Sequence, residues 1–346
     1  MYIEPPFRNM HILLSHGAGG EMMNSLIAGS ILKNLSPGNI GKVGLFDLDD
    51  GASISIGDHE LVISTDSYIV TPLFFPGGDI GKLAACGTIN DISMMGARPL
   101  ALTLAIIMEE GFETSELERI IRSLDDVCKD TGISVITGDT KVMEKGKLDK
   151  IVINTTGIGI VEDGQVINDA NLSTGDVIIV SGTIGDHGIS LLSFREGFGF
   201  ETTLCSDVAP LWGMIKKALV VGGITAMRDP TRGGLAATLN DWARKSKTGI
   251  MIQEENIPLR PEVIAASRML GIDPYTVANE GKAVIGVKKE KAQEVLDALH
   301  STWEGKNARI IGEVIDKYHG KVILNTIVGG KRIMEPPVGD PVPRVC

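Results

Sequence analysis

Apolar residues recur along the chain with two periods. Some windows repeat every second residue and others every three to four, which predicts strands and helices in mixed order. ASISIG (52–57) and ELVIST (60–65) read as a short hairpin. A helical pattern runs from Asp79 to about Met95, followed by an apolar strand at 99–108. SELERIIRSLDDVCKDTG is a helix with capping-box spacing at Ser115 and Glu118 and a stop at Gly132. Strands follow near 133–137 and 151–161.

The stretch EDGQVINDANLSTG (162–175) is polar and turn-rich, a domain junction by composition. Beyond it the pattern gives a strand at 176–181, helices near 186–196, 208–220 and 233–246, and a strand at 249–254. Helix 261–270, strand 282–287, helix 290–302 and strands near 308–315 and 321–328 complete it. After Gly329-Gly330 the periodicity dissolves into a tail spaced by Pro336, Pro337, Pro341 and Pro343 and ending on Cys346. The expected domains are 1–165, 166–330 and a flexible tail, 331–346.

The chain has 346 residues, 43% of them hydrophobic and 22% charged, enough for sizeable cores in two domains. Its net charge of −11 argues against nucleic acid or an anionic membrane as partner. The N-terminus carries no signal-peptide pattern, and no apolar run is long enough to span a bilayer. Four cysteines without a CxxC pair fit a reducing cytoplasm. Cys86 and Cys128 fall in helical patterns and should be packed; Cys346 alone looks accessible.

Neither a P-loop nor a Rossmann fingerprint is present. What recurs is acid at strand exits: Asp50 in FDLDDGASI, Asp66 in VISTDSYIV, Asn90-Asp91 in INDISMMG, Asp139 in VITGDTKV and Asp229 in AMRDPTRGGL. Singly, each serves equally well as a turn or helix cap. Together they would repel unless a hard cation such as Mg²⁺ bridged them to phosphate. Gly17, Gly19 and Gly20 in LLSHGAGG are candidate phosphate contacts or an ordinary turn, and Arg232, a cation ahead of a helix start, is the better phosphate candidate.

STDSYIV, NDISMMGARP, GDTKV, GDHG, MRDPTRGGLA, ANEGKAV and the terminal PRVC, in that order, resemble the HypE family of hydrogenase maturation proteins. That family belongs to the ATP-using superfamily of aminoimidazole ribonucleotide synthetase and selenophosphate synthetase. The resemblance runs from about Ser15 to Cys346, and the terminal cysteine is what selects the family.

The resemblance implies an α+β fold of two mixed domains, with N-terminal strands of two subunits pairing in a barrel. It implies ATP-dependent dehydration of a carbamoyl group on Cys346 to a thiocyanate, the source of a cyanide ligand for NiFe hydrogenase. Asp50, Asp66, Asp91 and Asp229 match Mg²⁺–triphosphate ligands, with Asn90 and Asp139 beside them and Gly17–Gly20 over the nucleotide. Glu280 matches a base on the carboxamide nitrogen and Lys141 a charge stabiliser at the reacting centre. His187 reads as a helix-entry residue near substrate. The implied partners are a second copy, the carbamoyltransferase HypF as donor and a HypC–HypD complex as acceptor. A tail from Lys331 reaches up to about 50 Å when extended. Rival readings are a sister synthetase, or an interaction protein whose tail is a docking peptide.

Overall fold

The computed structural model describes residues 11–162, 166–196, 203–339, 342, 345 and 346. The Arg344 charge and the prolines at 341 and 343 lie outside them. The N-terminal half runs α1 (Gly20–Leu26), β1 (Ala52–Ile56), β2 (His59–Tyr68), β3 (Phe74–Phe75), β4 (Gly78–Asp79) and α2 (Ile80–Met94). It continues with β5 (Arg98–Glu109), α3 (Thr114–Thr131), β6 (Ser134–Met143) and β7 (Ile151–Val161). Five of its strands form one sheet in the order β1-β2-β7-β5-β6, and β3 pairs with β4 separately.

Among the described residues, one face of that sheet is covered and the other is not. Along β7, fully buried residues alternate with half-buried ones, the period-2 signature of a one-sided sheet. The cover is α2, buried around most of its circumference. Asp79 starts this helix by accepting from the Gly81 and Lys82 N–H groups at 2.8 and 3.0 Å. Behind it lies α3, whose buried residues Ile120, Leu124, Val127 and Cys128 form one stripe.

The second half runs β8 (Val177–Val180), α4 (Asp186–Glu196), α5 (Trp212–Val221), β9 (Ile224–Arg228), α6 (Gly234–Ser246) and β10 (Gly249–Gln253). Then come α7 (Pro261–Leu270), β11 (Val284–Val287), α8 (Ala292–His300), β12 (Arg309–Ile315), β13 (Val322–Asn325) and β14 (Lys331–Ile333). The sheet order is β14-β13-β10-β12-β8-β11-β9. Strands β8 and β11 are buried at every residue. One face packs on α6 through Trp242 and Leu239, the other on α5 and α8 through Ile215 and Val295.

Several sequence expectations need correction. The Ser115–Glu118 capping box does not form, because α3 starts at Thr114 with Glu113 as N-cap and no side-chain cap bond; Ser115 is already inside the first turn. The stop at Gly132 is as expected, with φ +72°. Strand β6 runs to Met143 rather than ending near 137, and β9 was not anticipated. The first tail residues form β14, paired antiparallel to β13. Cys86 and Cys128 are buried, but Cys205 is the exposed cysteine and Cys346 is half-buried.

Candidate functional site

Four carboxylates reach one place from four different elements. Asp66 lies on β2, Asp91 on the last turn of α2, Asp50 just before β1 and Asp229 just after β9. Asp50, Asp91 and Asp229 each offer an oxygen within 4.8 Å of the others. They line a cavity of about 620 Å³ together with Gly19, Gly20, Asp66, Arg232 and Lys245. Gly19 and Gly20 open α1 with φ of +77° and +74°, a backbone that an L side chain adopts only with strain.

The charge in this cluster is not balanced by the protein alone. Asp50 Oδ2 and Asp229 Oδ2 are buried without a hydrogen-bond partner among the described residues. Burial first, then Asp66, pushes the Asp229 carboxyl up to about 7. Burial and the neighbouring aspartates push Asp91 well above the carboxylate range. Orphaned oxygens in a mutually repelling set of hard donors are what a Mg²⁺-type cation would satisfy, so these residues fit such an ion.

A second, small cavity of about 30 Å³ adjoins the first and shares Asp66, Asp91, Asp229, Thr231 and Arg232 with it. Its other walls are Ser67, Tyr68, Gly87, Glu280 and Cys346. Glu280 Oε1 is buried without a hydrogen-bond partner among the described residues. Burial, then Asp229 and Asp207, holds its carboxyl well above the usual range. Lys282 does not pair with it; that ammonium binds Asp207 at 3.0 Å. Negative charge at Cys346, ahead of burial, strengthens the hold of Arg232 on its proton.

The tail arrives here along a defined path. Met334 donates its N–H to Val322 O, and its own carbonyl accepts from Asn240 Nδ2 at 2.8 Å. Pro337 crosses Gly20 so closely that a Cβ there would lie 2.3 Å from the Pro337 carbonyl oxygen. Val342 and Val345 are buried in the core of the N-terminal half, and Cys346 packs against it. The sequence left the tail's resting position open; in the structure the thiol residue lies beside Glu280 and Arg232.

Other sequence candidates lie elsewhere. Gly17 precedes the glycine pair and lines neither cavity. Asn90 uses its amide internally, accepting from Leu211 N–H and donating to the Ala209 and Glu280 carbonyls. It therefore positions the Glu280 backbone. Asp139 and Lys141 pair with each other at 2.7 Å on the exposed edge strand β6. Asp66, Thr155, Leu104 and Gly138 share one rung of the sheet, so Asp139 stands three strands, about 14 Å, from Asp66.

The sequence reading missed three groups. Arg228 binds Asp50 at 3.0 Å and Asp169 at 2.8 Å; its only signal was adjacency to Asp229. Asp169, in the supposed linker, is buried and also takes Lys245 at 2.9 Å and the Trp242 indole N–H. Tyr68 donates to Asp66 and meets Thr88 Oγ1 at 3.2 Å.

Comparison with known proteins matches these two halves separately. The family "AIR synthase related protein, N-terminal domain" matches residues 48–161, and its C-terminal-domain counterpart matches 173–325. A putative hydrogenase expression/formation protein of Methanocaldococcus jannaschii is 52% identical over 97% of this chain and 100% of its own. The carbamoyl dehydratase HypE of Rhizobium leguminosarum bv. viciae is 46% identical over 98% of this chain and 96% of its own. Among solved structures, a chain of a HypE–HypF complex superposes with a TM-score of 0.84 at 43% identity, covering 92% of this chain and 100% of that one. HypE in complex with ATP gives 0.81 at 39% identity, covering 97% and 100%. With this identity over nearly its full length, and the same two-domain fold, the chain belongs to the HypE family of hydrogenase maturation proteins.

Proposed function

We propose that this chain is an ATP-dependent carbamoyl dehydratase that acts on its own terminal cysteine. The observation that carries the reading is the shared wall between the two cavities. Cys346, Glu280 and Arg232 border the small one, and the aspartates of the large one close its other side. The kinship with HypE solved with ATP supports a nucleotide in the large cavity, under Gly19 and Gly20. Asp50, Asp91 and Asp229, with Asp66 adjoining, would hold Mg²⁺, which when bound draws charge from the transferring phosphoryl group.

An S-carbamoyl group on Cys346 would fill the small cavity. Its oxygen attacks the γ-phosphorus, and the bond to ADP breaks. The C–O bond then breaks as phosphate leaves, and a C≡N triple bond forms at carbon. Of the two protons on nitrogen, the first passes to Glu280 and the second leaves with phosphate. Burial makes the Glu280 carboxylate a stronger base than an exposed one, and Arg232 offsets charge on the oxygen. The product is a protein thiocyanate, whose cyanide serves as a metal ligand in NiFe hydrogenase maturation.

The donor is then HypF, a reading favoured by the similarity to the HypE–HypF complex. The cyanide acceptor is a HypC–HypD complex. A homodimer is supported by β6, which is exposed along its whole length and carries Ile136 and Val142 at 60% and 66% exposure. Pairing two such edges would cover them. No helix among the described residues is long and apolar enough to cross a membrane, and we place the reaction in the cytoplasm. Donor-dependent ADP release in the Cys346→Ala variant is expected to vanish; unchanged ADP release overturns the reading.

A further inference from the structure

His187 is fully buried at the start of α4, away from the aspartate cluster. Its two ring nitrogens are both engaged: Nε2 lies 2.8 Å from the Val345 carbonyl oxygen and Nδ1 lies 2.7 Å from Ser206 Oγ. A carbonyl oxygen only accepts, so Nε2 carries the proton and Nδ1 offers a lone pair. Ser206 therefore donates its hydroxyl proton to Nδ1, while its oxygen accepts from the Val208 N–H at 3.1 Å. The relay is fixed to the N-terminal half, because Ser206 N–H donates to Pro76 O at 2.8 Å.

The surroundings keep the imidazole neutral and oriented. Burial lowers its proton affinity, against the pull of Asp207 and the Val345 carbonyl. The Phe75 ring stands edge-on to it at 5.7 Å. The same short segment also sets the reaction centre, since Asp207 Oδ1 accepts from the Glu280 N–H at 3.0 Å. Val345 is the residue immediately before the terminal cysteine, so a bond to its carbonyl fixes where Cys346 can sit.

We propose that His187, held in one tautomer by Ser206, is a positioning residue that latches the Val345 carbonyl and so seats Cys346 in the small cavity. This rests on the reading of Cys346 as the carbamoyl-bearing residue. The latch joins tail, α4 and the Glu280 support into one unit. Releasing it would let the thiol leave for a donor or acceptor without disturbing the nucleotide cavity, to whose walls His187 does not belong.

The test is the rate at which N-ethylmaleimide modifies Cys346 in the full-length protein, followed by peptide mass spectrometry. Exposed Cys205 serves as internal reference. His187→Ala raises Cys346 modification relative to Cys205 by about 2- to 10-fold, the weight of one net hydrogen bond. His187→Gln, which keeps an N–H donor near the Nε2 position, restores protection. Ser206→Ala raises the rate in the same direction without the cavity that a lost imidazole leaves. Equal Cys346 rates in wild type, His187→Ala and Ser206→Ala overturn the latch, as does a His187→Gln rate matching His187→Ala. Alkylation needs no carbamoyl group, so failure of the latch and failure of the dehydratase reading register in different assays.

Discussion

Asp229 is where the opposing demands of the site meet at the scale of a single residue. Its carboxyl releases its proton near 3.8 in the unfolded chain and only near about 7 when folded. The folded state therefore binds more protons between these values. The stability this group contributes is full below about pH 4 and is lost as pH rises towards 7. Asp229→Asn should raise the melting temperature of metal-free protein at pH 7.5 by about 2 °C or more, flatten its decline between pH 5 and 7.5, and remove Mg²⁺-dependent ATP binding. Thermal melts from pH 5 to 7.5, with and without Mg²⁺ and ATP, check all three. Glu280→Gln keeps the shape of the small cavity but removes the base. It should retain ATP binding by calorimetry while dehydration falls by about 10²- to 10⁴-fold. Lost nucleotide binding would move Glu280 to the metal site instead.

At the scale of elements, the contact between tail and α1 fixes the path of the tail. Gly20→Ala places a Cβ 2.3 Å from the Pro337 carbonyl in a backbone with φ +74°. The tail must shift, and N-ethylmaleimide labelling of Cys346 should rise by about 5-fold or more, since such an overlap costs about 1–3 kcal/mol. Unchanged labelling would mean that Pro337 does not pass there in solution. Val342 and Val345 anchor the docked tail by burying their side chains in the N-terminal core, against the entropy lost in ordering it.

The elements also separate what the sequence discloses from what it hides. Helix α2 and strand β2 are legible because each carries a long apolar pattern of its own, and the aspartates at their ends follow from where the pattern stops. Asp169 is illegible because its surroundings, Arg228, Lys245 and Trp242, come from a distant part of the chain. A buried ion network reads locally as a polar linker. His187 reads in the sequence as a helix-entry residue near substrate, but its contact with the tail is hidden for the same reason, since its partner Val345 lies 158 residues away. The Ser115–Glu118 spacing misleads in the other direction: the motif is present, but Thr114 already belongs to the helix.

At the scale of the whole molecule, the open sheet of the N-terminal half is the unfinished feature. Ile136→Glu with Val142→Glu puts charges on the exposed strand β6. By sedimentation velocity the parent protein should be a dimer and this double variant a monomer; a variant dimer of undiminished affinity would remove β6 from the interface. The two halves otherwise meet at the chemistry. The N-terminal half supplies Asp50, Asp66 and Asp91, and the C-terminal half supplies Asp229, Arg232 and Glu280. The tail closes the circuit by returning from β14 to the junction, where its last residue lines the small cavity.

That return makes the central claim directly measurable. Carbamoylated full-length protein is incubated with Mg-ATP, digested, and its C-terminal peptide weighed. The account predicts that the peptide bearing Cys346 loses the mass of one water, in step with ADP formation. It predicts no such loss in Glu280→Gln. A C-terminal peptide that keeps its full carbamoyl mass while ATP is consumed would contradict it.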